Sequence, residues 1–226
     1  MSMHWHDVLF LHWPVSPEVI RPLVPAGLEL DTFHGSAWIG VIPFRMTGVR
    51  PRYFPAGLTF PEINVRTYVW TPGRSGVWFF SLDATSRLAI KAARLSFGLP
   101  YYNARITVRS EMESVHYQGT RTDKTTGGAE LNASCKPAGP AYRSAPETLD
   151  RWLTDRYCLY AVDRAGRLGY MEIHHAPWPL QHAEVEVRVN TMTKPLGIQL
   201  PSTPPPLAHF ARYLEVIAWW MVPVEA

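Results

Sequence analysis

EINVRTYVW, residues 62–70, is the stretch whose reading decides the fold. Successive side chains of a strand point to opposite faces. Glu62, Asn64, Arg66, Tyr68 and Trp70 therefore share one face, and Ile63, Val65, Thr67 and Val69 share the other. The turn Gly73-Arg74-Ser75-Gly76 follows, and residues 77–82 return as the next strand. The pairing is predicted to be local and antiparallel.

The same grammar extends outward. Residues 5–15 are apolar and predict a strand. Ser16-Pro17-Glu18 opens a short helix that Pro22 limits and Pro25 ends. Residues 28–31 and 37–46 flank His34-Gly35-Ser36, which predicts a hairpin, and residues 47–61 predict a loop, a surface loop or a lid. Leu88, Ala92 and Leu95 recur at helical spacing, so residues 86–97 predict a helix ended by Gly98 and Leu99-Pro100. Strands are expected at 105–110, 114–118 and 129–135, and helical character at 145–155. A hairpin is expected from 157–162 and 168–174, then a strand at 183–190. A Pro-rich connector at 201–206 leads to an apolar final strand at 214–222. The sum is an α+β fold: a mainly antiparallel sheet, curled or closed into a barrel-like shape, with two or three short helices. No repeat, linker or composition break divides the chain, so residues 1–226 are expected to form a single domain.

Composition narrows the function classes. The chain is 46% hydrophobic and 18% charged, ordinary for a globular protein. Aromatic residues make up 12%, with nine Trp, which fits a large core or a lined cavity. Net charge is +3 with no cluster of Lys and Arg, which argues against nucleic acid as a partner. The N-terminus has no basic run and residues 8–11 are too short for a signal or a span, so the expectation is a cytoplasmic protein with no membrane partner. Cys135 and Cys158 lack metal spacing and are expected as reduced thiols.

Few residues propose chemistry. The polar face of residues 62–70 is either wet or turned into a cavity. In the second case Arg66 needs a partner, because an unpaired buried charge is costly. His4, His6 and His12 share a parity, and His174 and His175 point to opposite faces. No acidic spacing completes a metal pattern, so no metal or cofactor is expected. Nucleotide-loop, nucleophile-elbow and Cys-x-x-Cys motifs do not occur. A lysine nucleophile needs a depressed pKa. Lys91, Lys124, Lys136 and Lys194 all read as solvated.

Taken together, SPEVIRPLVPAGLEL (16–30), EINVRTYVW with GVWFFSLD (62–83), RLSFGLPYYNA (94–104) and HHAPWPL (174–180) resemble the YqjF-like family of bacterial proteins. That family looks related to acetoacetate decarboxylase. The resemblance implies a cone-shaped, largely antiparallel β-barrel around an internal pocket. The decarboxylase forms a Schiff base through a Pro-Lys-Lys run, and here the run reads Pro100-Tyr101-Tyr102. An Arg-Glu pair becomes Arg94-Leu95, and a pocket arginine aligns with Pro14. Schiff-base chemistry is therefore not expected. Asn64, Arg66, Tyr68, Arg94, Tyr101 and Tyr102 are the expected ligand-binding residues, in a pocket for a small organic acid or aromatic molecule. The alternatives are a lysine-independent enzyme acting on a keto- or hydroxy-acid by acid/base chemistry, and a homo-oligomer joined through the apolar final strand and Trp219-Trp220.

Overall fold

The computed structural model describes residues 1–51, 53–201 and 205–224. Residues 58–70 form the core of the sheet as their alternation requires. Strand β4 (Leu58–Thr71) pairs antiparallel with β3 (Ala37–Arg50) on one side and with β5 (Arg74–Ala84) on the other. Gly73, at φ 78°, takes the left-handed conformation of the β4–β5 turn, a region that favours glycine. The β4–β5 register slips between Val65 and Arg66, from Ser81 to Phe79. Phe80 is thus an unmatched residue in β5, a bulge that leaves the alternation of β4 intact.

The first strand, β1 (Ser2–Val15), carries a second bulge, and it corrects a sequence expectation. Asp7 sits at φ 51° and the register against β3 breaks between His6 and Leu11. Parity inverts there, so Met3 and Trp5 face the same cavity as Val8 and Phe10. His4 and His6 consequently lie on the opposite side from His12. His4 bonds Tyr213 (2.7 Å) and His6 bonds Thr47 (2.9 Å), while His12 is fully buried.

The remaining strands are β2 (Glu29–Leu30), β6 (Tyr101–Glu111), β7 (Ser114–Arg121), β8 (Glu130–Tyr142), β9 (Cys158–Val162), β10 (Leu168–His175), β11 (Leu180–Asn190), β12 (Leu207–Ala218) and β13 (Val222–Pro223). Helices are few among the described residues: α1 (Pro17–Ile20), α2 (Arg87–Phe97) and α3 (Leu149–Thr154), with two short 3-10 turns. Among the described residues thirteen strands join one sheet, in the order β13-β10-β9-β5-β6-β7-β8-β11-β12-β1-β3-β4-β2. Pairings β5–β4 and β10–β12 tie distant parts of that order together. The coarse expectation of a mainly antiparallel sheet with few helices holds.

Several finer expectations change. β2 pairs with the end of β4, Glu29 opposite Trp70, and makes no hairpin with β3. Both edges of β3 are already occupied, by β1 and β4. The predicted loop at 47–61 shrinks to residues 51–57, of which Arg52 lies outside the described residues. Pairing continues to Val49 opposite Leu58, and both pack on the apolar core. Among the described residues two pairings are parallel, β5 with β6 and β5 with β9. The first follows from the correctly placed helix: a strand–helix–strand connection returns its chain parallel. That helix is capped by Ser86, which accepts from the Ala89 N–H, and ends at Gly98 with φ 64°. α3 is shorter than residues 145–155, because Glu147 sits at φ 62° and Thr148 becomes the cap. The final strand starts earlier, at Leu207, and is broken after Ala218. Of the Pro-rich connector, residues 202–204 lie outside the described residues.

Strands β1, β3, β4 and β5 are shared by two apolar cores on their opposite faces. One core holds Phe10, Phe44, Phe60, Leu82, Leu159 and Trp178 and is closed by α2. The other packs Leu11, Ile63 and Val65 against Ile106, Val115 and Leu131 of β6–β8. Gly119 makes that second packing possible, since a Cβ there would lie 2.3 Å from the Ile63 side chain. Among the described residues no helix is long and apolar enough to cross a membrane.

Candidate functional site

The first core is hollow. Its cavity of about 270 Å³ is lined by Trp5, Phe10, Phe44, Phe60, Leu82 and Trp178 among other apolar groups. Strand β4 runs along it and supplies a polar row, Glu62, Asn64 and Arg66. Tyr101, Thr154, Arg156 and His175 reach the same space from other elements.

Glu62 is 2% exposed. The Tyr101 hydroxyl donates to its Oε2 at 2.8 Å. Burial pushes the Glu62 carboxyl up to about 8, because the charged form loses its water, and hydrogen bonds from Tyr101 and Asn64 oppose the rise. The Tyr101 phenol is held well above its ordinary range, first by burial and then by the neighbouring carboxylate. The pair is a carboxylic acid that still holds its proton at neutral pH, with a neutral phenol beside it.

Arg66 is 9% exposed, and its Nη2 donates to the Leu153 carbonyl at 3.1 Å. Its guanidinium carbon lies 5.8 Å from the Phe10 ring and 5.6 Å from the Tyr68 ring. Its Nε is buried without a partner, and no carboxylate pairs with it among the described residues. The Oδ1 of Asn64 and Nη2 of Arg156 are also buried and unpartnered. Arg156 differs in charge balance, since it pairs with Asp31 at 2.6 Å.

The six expected ligand residues divide. Asn64, Arg66 and Tyr101 line the cavity. Tyr68 stands behind Arg66, fully buried, with its hydroxyl 2.7 Å from His12 Nε2. Burial and then the Arg66 charge hold the His12 pKa well below its ordinary value, so that imidazole is neutral. Arg94 and Tyr102 do not join the others. Tyr102 follows Tyr101 on one strand and therefore points to the opposite side, where its ring lies 4.3 Å from the Arg121 guanidinium carbon. Arg94 occupies the outer face of α2, donating to the Tyr101 carbonyl (2.6 Å) and pairing with Asp123 (2.8 Å). No lysine lines the cavity: Lys91 and Lys124 border an outer groove, Lys136 pairs with Glu113 and Lys194 sits in a 3-10 turn.

Arg156 and His175 line the cavity without being among the six expected residues. Arg156 follows α3 in irregular chain and is brought in by an ion pair across 125 positions, which leaves no local signal. His175 had one signal, adjacency to His174 on a strand. It is the inward member, among Trp5, Tyr157 and Trp178, with its Nδ1 2.8 Å from the Ala176 carbonyl.

The comparisons with known proteins agree with this architecture. The family model DUF2071, described as an uncharacterised conserved protein, matches residues 2–215. The YqjF protein of Bacillus subtilis is 44% identical over 222 residues, covering 97% of this chain and 90% of its own. The acetoacetate decarboxylase of Legionella pneumophila superposes with TM-score 0.64 at 12% identity, covering 99% of this chain and 87% of that one. The enduracididine biosynthesis enzyme MppR, solved with pyruvate, superposes with TM-score 0.67 at 11% identity, covering 99% and 90%. At these identities the solved structures speak for the fold alone.

Proposed function

The chain belongs to the DUF2071 family, and from that premise we propose that its sheet forms a cone-shaped barrel whose cavity binds a small organic acid. One observation carries the reading: Arg66 is a buried guanidinium in an apolar cavity wall, with an unpartnered Nε and no acid paired to it among the described residues. Burying a cation without a counter-charge is costly, and a carboxylate accepting from a guanidinium offsets that cost through charge-assisted hydrogen bonds. The apolar remainder of the wall suits an alkyl or aryl body. The pyruvate bound by MppR is itself a carboxylate, which supports the reading.

The test is thermal denaturation against a panel of small aliphatic and aromatic acids. A ligand at one hundred times its Kd stabilises the fold by about 2.7 kcal/mol. Arg66→Gln is expected to abolish that stabilisation. Absence of any stabilising acid discards the reading.

A second reading rests on a separate observation, the Glu62–Tyr101 pair. A carboxyl titrating near neutral pH can both take and give a proton during turnover. The cavity then serves a lysine-independent enzyme acting on a keto- or hydroxy-acid. Glu62→Gln separates the two: acid binding survives the change, and proton transfer does not.

A further inference from the structure

We propose that the ligand is a medium-chain monocarboxylate, with its carboxylate on Arg66 and its apolar tail against the alanine face of α2, which sets the chain length. The proposal rests on the acid-binding reading and adds the class of acid. Ala89, Ala92, Ala93 and Phe97 of α2 all line the cavity. Their spacing places them on one helix face. A helix closing an apolar core ordinarily fills it with large side chains, because interiors are close-packed. Here Ile90 and Phe97 pack into the core, but three of the four helix residues that line the cavity are alanine, and the space they leave is part of it.

The alanine stripe is joined by independent signs of a ligand, the buried and unpartnered Nε of Arg66 and Oδ1 of Asn64 in the same wall. The register orients the occupant. Glu62 pairs with Ala84, the last residue of β5, and α2 begins at Arg87 just beyond it. Arg66 lies four residues further along β4, about 13 Å at 3.3 Å per residue. A carboxylate on Arg66 therefore directs its chain along β4 towards the end where Glu62, Tyr101 and α2 lie. At about 30 Å³ for each water-sized group, the cavity of about 270 Å³ takes on the order of nine non-hydrogen atoms. Heptanoate has nine such atoms and octanoate ten, so the fit is to an acid of about seven or eight carbons.

Calorimetric titration of the full chain with straight-chain acids from butyrate to dodecanoate tests this. Affinity is expected to rise about four-fold per methylene up to about octanoate and then stop rising. Ala93→Leu should move the optimum to a shorter acid, by about three carbons. Phe97→Ala should move it to a longer one, and keeps the test open where the bulkier variant fails to fold. An optimum unmoved by a folded Ala93→Leu or by Phe97→Ala, or affinity indifferent to chain length, overturns this proposal and leaves the Arg66 reading standing. A wild-type chain that binds none of these or any other small acid overturns both.

Discussion

Two buried carboxylates sit beside each other across the β4–β5 ladder and are treated in opposite ways. Asp83 pairs in register with Ile63, one position from Glu62. Its two oxygens accept from Arg121 Nε and Nη2, both at 2.7 Å, and the Tyr102 ring covers that guanidinium. Glu62 points the other way, into the cavity, and has only neutral donors. The closed pair holds strands together: it joins β5 to β7 across 38 positions. The open group retains its proton because burial disfavours its charged form. A buried charge that is matched is architecture, and one left unmatched in a cavity is a candidate for chemistry.

The largest expected effect breaks the closed pair. Arg121→Ala leaves Asp83 buried without its cation and is expected to cost about 3–5 kcal/mol in chemical denaturation. Replacing both members together, Asp83→Leu with Arg121→Met, is expected to recover most of that loss, since it is the orphaned charge that is costly. A double variant no better than Arg121→Ala would show that the pair is not the source of the effect.

The open group should make stability depend on pH. The folded-state pKa of Glu62, about 8, lies above the ordinary carboxyl value of 4.5. Between those values the folded chain holds a proton that the unfolded chain has released. The Glu62 contribution is therefore fully present below about pH 4.5 and is lost as pH rises through about 8. The slope from this group is at most about 1.4 kcal/mol per pH unit. Glu62→Gln should flatten the profile from pH 5 to pH 8, and parallel profiles would count against a protonated Glu62.

The smallest effects compare the adjacent tyrosines. Tyr101→Phe removes the donor to Glu62, costs about 1 kcal/mol and moves the Glu62 midpoint higher, since that hydrogen bond favours the ionised form. Tyr102→Phe keeps the ring against Arg121 and should change stability by less than about 0.5 kcal/mol. Equal effects at the two positions would remove the distinction between the faces.

Much of this was legible in residues 62–70 alone. Period-two alternation placed Glu62, Asn64 and Arg66 on one face and Ile63 and Val65 on the other, and backbone geometry by itself enforces that division. The caps of α2 were equally local, Ser86 at one end and Gly98 at the other. Tertiary structure decided what no local pattern carries. A single residue, Asp7, inverted the parity of β1 and separated three histidines that the sequence had aligned. Pairing partners followed from which strand edges were free, so β2 joined β4 and β5 ran parallel to β6. Adjacent Tyr101 and Tyr102 went to different sides, and Arg156 reached the cavity through a remote ion pair. Alternation is a property of the chain's own dihedrals, whereas closure of a cavity depends on contacts between residues far apart in the chain.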